Sequence, residues 1–192
     1  MSPDSKRRPR SDAQRNRERL ITATRELVAE FGSEVPLDEV ARRAGLGNAT
    51  LYRHFPTRAE LLAALYADEV TALCDYGNRL LAEPSPIKAL FSWLDAFVTH
   101  VATKRPLALA ATDIPDGRRT PMFEQWHADI TTTASALVRR AQPMLRQGVT
   151  ATDVLALASG AALTTDVDNA RRLVAMLHTG LATQTHQDRH RG

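Results

Sequence analysis

Residues 37–55 read Leu-Asp-Glu-Val-Ala-Arg-Arg-Ala-Gly-Leu-Gly-Asn-Ala-Thr-Leu-Tyr-Arg-His-Phe. Pro36 sits at a first-turn position, and Asp38 and Glu39 follow where acids suit the positive end of a helix dipole. Gly45 is the stop, because the residue after a helix is commonly left-handed and glycine adopts that backbone freely. A second short helix is expected from about 48 to 55. Ala41 is small where two helices must approach closely. Val40, Leu46 and Leu51 are spaced to meet in a miniature core. The pattern predicts a helix-turn-helix, in which the first helix crosses a nucleic-acid backbone and the second is free to enter a major groove. On or near the outer face of that second helix lie Asn48, Ala49, Thr50, Tyr52 and Arg53. Amides, hydroxyls and short apolar groups are what base edges and thymine methyls can bind. Fragments of this size also serve as plain scaffold, so the surroundings decide.

The surroundings are basic. The chain of 192 residues has a formal net charge of +3. Residues 1–60 hold that whole excess, and residues 61–192 are neutral. Lys6, Arg7, Arg8, Arg10, Arg15, Arg17 and Arg19 stand against Asp4, Asp12 and Glu18, which leaves residues 1–19 at +4. Residues 1–10 have no apolar residue after Met1 and read as a disordered basic arm, with Arg10 at its end, suited to phosphates or the minor groove. Arg42, Arg43, Arg53 and Arg58 are interleaved with the motif, some of them as a solvated face.

Composition excludes several classes. At 43% hydrophobic and 24% charged, the chain is globular rather than disordered. A lone cysteine, Cys74, excludes a disulfide framework. No apolar run approaches the roughly 18 residues of a membrane span. No apolar stretch follows the basic start, so no secretory signal is expected, and the expected location is cytoplasmic.

Helical periodicity runs through the rest, and prolines and glycines divide it into about nine helices. The class is all-α. The first helix should run from 11 or 12 to Phe31, with Leu20, Ile21, Thr24, Leu27, Val28 and Phe31 as its apolar set and Gly32 as its stop. Thr57 and Glu60 form a capping box for a long fourth helix. Ile87, Leu90, Phe91, Leu94, Phe97, Val98 and Val101 stripe a fifth, which Pro106 ends, or else Pro106 begins a short sixth. A turn is expected at 114–117. A long seventh helix should run from 122 to about 147, kinked at Pro143. Gly148 is a cap, Thr152 caps an eighth, and a ninth ends near 183. The expected division is arm 1–10, helix-turn-helix domain 11–57, a ligand-binding and dimerisation domain 58–184, and a polar tail 185–192.

With these residues in view, the stretch from Leu37 through Leu62 resembles the DNA-binding domain of the TetR family of transcriptional regulators. The specific part is Thr-Leu-Tyr-Arg-His-Phe followed by a capped helix with a basic residue at its second position. The resemblance covers about residues 12–62. Beyond it, residues 86–106 are more distantly similar to the subgroup with an SbtR-like C-terminal domain. The resemblance implies phosphate contacts from Tyr52 and His54, base recognition by Asn48, Ala49 and Thr50, and a phosphate contact from Arg58 at the start of the fourth helix. It implies that Phe55 is core. Three departures stand out. Gly47 replaces a common Ser, at a cost of only a few tenths of a kcal/mol. Ala49 replaces a common Gly, and Pro36 a common Thr.

The remaining two-thirds should hold a sensor and a dimer interface. Trp93, Phe97, His100, Phe123, Trp126, His127 and Ile130 gather on the fifth and seventh helices. Singly each reads as core, and family architecture places an internal ligand cavity among them. Glu124 and His127 make one Glu-x-x-His pattern, but a bundle metal site needs a second copy and further glutamates, so neither a metal nor a cofactor is expected. Cys74 lacks a basic neighbour and reads as structural. No catalytic constellation appears. For dimerisation the candidates are Ala156, Ser159, Gly160 and Leu163 on the eighth helix, with Leu173, Val174, Leu177 and Leu181 on the ninth. The expectation is a ligand-responsive repressor that binds a palindromic double-stranded operator as a homodimer. The alternative is a helical ligand-binding or adaptor protein of the same fold that does not bind DNA.

Overall fold

The computed structural model describes residues 8–111, 121–164 and 166–181. Among them are eight α-helices: α1 (Arg8–Phe31), α2 (Leu37–Arg43), α3 (Asn48–His54), α4 (Arg58–Leu80), α5 (Pro86–Ala111), α6 (Pro121–Ala141), α7 (Ala151–Thr164) and α8 (Val167–Leu181). Two 3-10 turns, Gly32–Glu34 and Gln142–Met144, join them. Residues 1–7 of the expected arm, the expected turn at 114–117 and the expected tail lie outside the described residues.

The prolines account for the difference between eight helices and nine. No separate helix starts at Pro106, because α5 runs through it to Ala111. An interior proline forfeits one N–H bond and crowds the carbonyl four residues back. Leu107-Ala108-Leu109-Ala110-Ala111 follows, and leucine and alanine are strong helix formers that carry the helix on. Pro143 acts in the opposite way: α6 stops at Ala141 and the proline sits inside a 3-10 turn, not a kinked helix end. At the N-terminus, α1 already begins at Arg8, with Pro9 in the first turn where its missing N–H is no loss.

Two helix starts show reciprocal capping. Glu60 N–H donates to Thr57 Oγ1 at 3.2 Å and the Thr57 hydroxyl donates to Glu60 at 3.4 Å, as expected for α4. For α7 the cap is Thr150, not Thr152. Asp153 N–H donates to Thr150 Oγ1 (3.2 Å), and Thr150 N–H donates back to the Asp153 carboxylate (2.9 Å). The Thr150 hydroxyl also donates to it, and these bonds hold the Asp153 carboxyl below its ordinary range.

The chain divides into two compact units, Met1–Glu69 with Lys104–Thr120, and Val70–Thr103 with Pro121–Gly192. In the first, α1 packs on α2 and α2 on α3. Leu20, Leu27, Val40 and Leu61 are fully buried, with Leu51, Leu62 and Leu65 at 1% exposure. Thr24 is buried too, and its hydroxyl donates to the Leu20 carbonyl at 2.7 Å, which removes the cost of an unpaired polar group. Phe31, at the end of the expected stripe, is exposed. Glu69 of α4 accepts from Arg25 of α1 (2.9 Å) and pairs with Lys104 of α5 (3.4 Å), so one carboxylate joins three helices.

In the second unit α6 packs on α7 and α7 on α8. Leu90, Trp93, Leu94 and Val98 of α5, Ala134 and Ala141 of α6, Val154 and Ala158 of α7 and Ala170 of α8 are fully buried. Arg171 of α8 reaches Asp95 (3.3 Å) and Thr99 (3.2 Å) of α5. Gly77 on α4 makes a close approach: a Cβ there would overlap Thr133 Cγ2 and lie 2.8 Å from Trp93 Nε1.

Candidate functional site

The turn between α2 and α3 is built from backbone up. Leu46 N–H donates to the Ala41 carbonyl (2.9 Å) and Gly45 N–H to the Arg42 carbonyl (3.0 Å), the paired bonds of a Schellman turn. Gly45 has φ +63°, a left-handed backbone. Arg19 of α1 donates to the Gly45 carbonyl at 3.3 Å, and its guanidinium lies 2.8 Å from where a Cβ on Gly45 would sit. Gly45→Ala is expected to cost about 1–2 kcal/mol from the left-handed backbone alone. Urea unfolding would show it as a lower midpoint, and an unchanged midpoint would mean the turn relaxes without strain.

Beyond that turn, the N-cap of α3 is Gly47, which offers no side-chain cap. Leu51, at 1% exposure, anchors the helix, and Phe55 is buried at its end. The Arg17 guanidinium lies 5.5 Å from the Phe55 ring centroid, a cation over an aromatic face. Gly47, Asn48, Ala49, Tyr52 and Arg53 are exposed, and Thr50 and His54 are half-buried. The residues expected to read bases therefore share one accessible helix.

The arginines around it are mostly committed to carboxylates. Arg42 grips Glu39 with two nitrogens, at 2.7 and 2.6 Å. Those bonds from Arg42 hold the Glu39 carboxyl below its usual range. Arg43 pairs with Glu30 (3.0 Å) and Glu39 (3.5 Å), and Arg58 with Glu34 (2.7 Å). Arg53 differs: it folds along its own helix, donating to the Ala49 carbonyl (3.1 Å) and to Thr50 Oγ1 (3.0 Å). The Arg10 side chain lies outside the described residues. Arg17, Arg19 and the acidic partners Glu34 and Glu39 were not foreseen as part of this surface. Glu39 could have been, since it stands three residues before Arg42. The others meet partners far along the chain.

Among the expected ligand-lining residues, two ring pairs stack, and three further residues are buried. Trp93 and Phe97 stack at 5.5 Å and 13°. Trp93 has 0% exposure, and its Nε1 donates to the Leu73 carbonyl at 3.1 Å. Phe123 and His127 stack at 5.2 Å on α6, with His127 exposed. His100, Trp126 and Ile130 are buried. An open polar groove of ≈ 310 Å³ on α4 and α6 is lined by other residues, among them Cys74, Asp75, Asn78, Asp129 and Thr133. Burial pushes the Cys74 thiol above its ordinary range.

On α7 and α8 an apolar groove of ≈ 590 Å³ opens to solvent, lined by Leu157, Gly160, Ala161, Leu173, Met176, Leu177, Gly180 and Leu181. Leu157, Leu163 and Met176 are 47%, 48% and 57% exposed. Ala156 is exposed and Ser159 half-buried beside them. Val174 is 2% exposed and turned into its own chain. Leu157 and Met176 are not among the expected interface residues, although Met176 continues the three- and four-residue spacing of Leu173, Leu177 and Leu181.

Residues 20–65 match the bacterial regulatory proteins of the tetR family, and residues 85–183 match the C-terminal domain of SbtR-like transcriptional regulators. The structure is similar to the TetR transcriptional regulator SCO0520 of Streptomyces coelicolor, with a TM-score of 0.71 and 32% identity over 88% of this chain and 99% of that one. It is also similar to a TetR regulatory protein of Mycobacterium vanbaalenii, with a TM-score of 0.70 and 31% identity over 91% and 99% of the two chains. The HTH-type regulator SrpR of Pseudomonas putida is 34% identical over 92 residues, 47% of this chain and 43% of that protein's length. With both halves matched and two structures alike along almost their whole length, the chain belongs to the TetR family of transcriptional regulators.

Proposed function

We propose that the chain binds a palindromic DNA operator as a homodimer and represses transcription until a small, mostly apolar effector releases it. The observation that carries this reading is α3. It is attached through Leu51 and leaves Asn48, Ala49, Tyr52 and Arg53 accessible. That arrangement suits a major-groove reader. Asn48, Ala49 and Thr50 then meet base edges, while Tyr52, His54, Arg42 and Arg58 meet phosphates. One short helix reads too few base pairs, and a second, about 34–36 Å away, completes a half-site pair. The exposed apolar groove of α7 and α8 supports pairing of two copies there. Such patches on a folded chain mark association surfaces.

For the effector, the aromatic cluster around Trp93 and Phe97, with His100, Phe123, Trp126, His127 and Ile130, is the proposed site. Its occupant must bind the DNA-competent and released states with different affinity. Helix α4 contributes to both units and is the proposed lever.

The test is selection from random duplexes, followed by anisotropy titrations at several salt concentrations. A palindrome and a steep loss of affinity with salt are expected. Tyr52→Ala should weaken binding to every duplex about tenfold, whereas Asn48→Ala should change which bases are preferred. No salt-dependent binding by the wild type would overturn the DNA reading and favour the ligand-binding alternative.

A further inference from the structure

Arg53 differs from the other arginines on and beside α2 and α3. Arg42, Arg43 and Arg58 each hold a glutamate, whereas among the described residues Arg53 pairs with no carboxylate. Its planar fork instead spans two acceptors on α3, the Ala49 carbonyl and Thr50 Oγ1. Positions 49, 50 and 53 share a helix face by their three- and four-residue spacing. The side chain thus lies along the surface expected to meet base edges.

This contact decides what the Thr50 hydroxyl can do. A hydroxyl has one proton and two acceptor positions. One acceptor position is taken by Arg53 Nη2 at 3.0 Å. A proton turned toward the guanidinium would face another donor, so it points away from Arg53. Among the described residues the Thr50 hydroxyl donates to no acceptor. We infer that Arg53 is a positioning residue that sets Thr50 as a hydrogen-bond donor, so that each half-site carries an acceptor-bearing base at the Thr50 position. The inference rests on the DNA-binding reading proposed above. Guanine offers N7 and O6, adenine N7 and thymine O4, whereas cytosine presents only a donor, its N4 amine, in the major groove. Cytosine is the base rejected at that position. Without Arg53 the hydroxyl is free to rotate and serve either sense, and the preference relaxes.

The experiment is a double-mutant cycle on the full chain. Wild type, Thr50→Val, Arg53→Gln and the double variant are titrated against the wild-type-selected operator and against duplexes with each half-site position changed in turn. The side chains are exposed or half-buried, so the four proteins should melt alike. Thr50→Val should cost about tenfold, lost from discrimination at one base pair per half-site. Arg53→Gln should relax that same base pair. The double variant should be little worse than the poorer single variant, because both singles break one unit. Arg53→Lys should restore the salt dependence but not the base preference, since an ammonium lacks the planar fork. Multiplying costs overturn the inference. So does an Arg53→Gln loss that is uniform across all duplexes, which would make Arg53 a phosphate contact only. Wild-type protein that selects no sequence defeats the DNA-binding reading itself, an outcome distinct from either of these.

Discussion

Gly77→Ala is expected to destabilise the protein by about 2–3 kcal/mol, although the same change in an open helix interior stabilises by about 1 kcal/mol. Gly77 lies in the interior of α4. A methyl there would overlap Thr133 Cγ2 and approach Trp93 Nε1 to 2.8 Å and Cδ1 to 3.0 Å. Neither neighbour is soft. The indole is fully buried and its Nε1 donates to the Leu73 carbonyl at 3.1 Å. Recoil of the ring would break that bond inside the core, where an unmade bond costs most. Thr133 is held by its hydroxyl donating to the Asp129 carbonyl at 3.0 Å. Thermal unfolding should show a midpoint lower by roughly 4–12 °C. A midpoint at or above wild type would mean that α4 can move away from Trp93. Gly180→Ala is the matched control, since nothing lies within 4 Å of a Cβ there. Its protomer should not be destabilised.

Leu157→Glu should convert the proposed dimer to folded protomers. Leu157 is 47% exposed in the single chain, so a carboxylate there stays in water and costs the protomer little. Across a two-fold axis each residue appears twice. Losing two buried leucines forfeits about 3–6 kcal/mol of apolar burial, and two carboxylates would face one another or their symmetry mates. The dimer dissociation constant should rise more than about hundredfold. Sedimentation velocity at micromolar protein would report the shift, with helical circular dichroism retained. Operator affinity should fall with it. A Leu157→Glu protein that sediments as the wild type does would place the interface elsewhere.

What was legible in the sequence was local. Gly32, Gly45 and Gly148, expected as helix stops or caps, are the positive-φ glycines among the described residues, at +59°, +63° and +85°. Thr57 and Glu60 announced their capping box through spacing alone. Val40, Ala41, Leu46 and Leu51 lie in or against one core, as their spacing required. What was not legible depends on partners brought from elsewhere. The helical run through Pro106 needed the balance between one forfeited bond and the helix formers after it. The Thr150 cap was legible in principle, since Asp153 stands three residues on, but Thr152 competed for the reading. No local pattern marks Gly77, and only Thr133 and the indole across from it reveal the close approach. Similarly, no local pattern tells that Arg58 reaches Glu34 or that Arg19 reaches the Gly45 carbonyl. Among the site residues, accessibility of Asn48, Ala49 and Tyr52 followed from helical period, whereas Val174 looked like an edge of the exposed stripe and is buried.

The glutamates that hold Arg42, Arg43 and Arg58 have a consequence for how the protein would search DNA under the reading proposed above. Under the proposed DNA reading, each would act as a built-in decoy phosphate. If those arginines meet phosphates as proposed, a passing polyanion would compete with Glu39, Glu30 or Glu34 for each of them, and an exposed pair of this kind withholds only a small amount of binding energy from random sequence. A correctly seated site, where base contacts hold the helix in register, would keep a phosphate in place long enough for the exchange to complete. The surface would thereby trade stickiness for search speed.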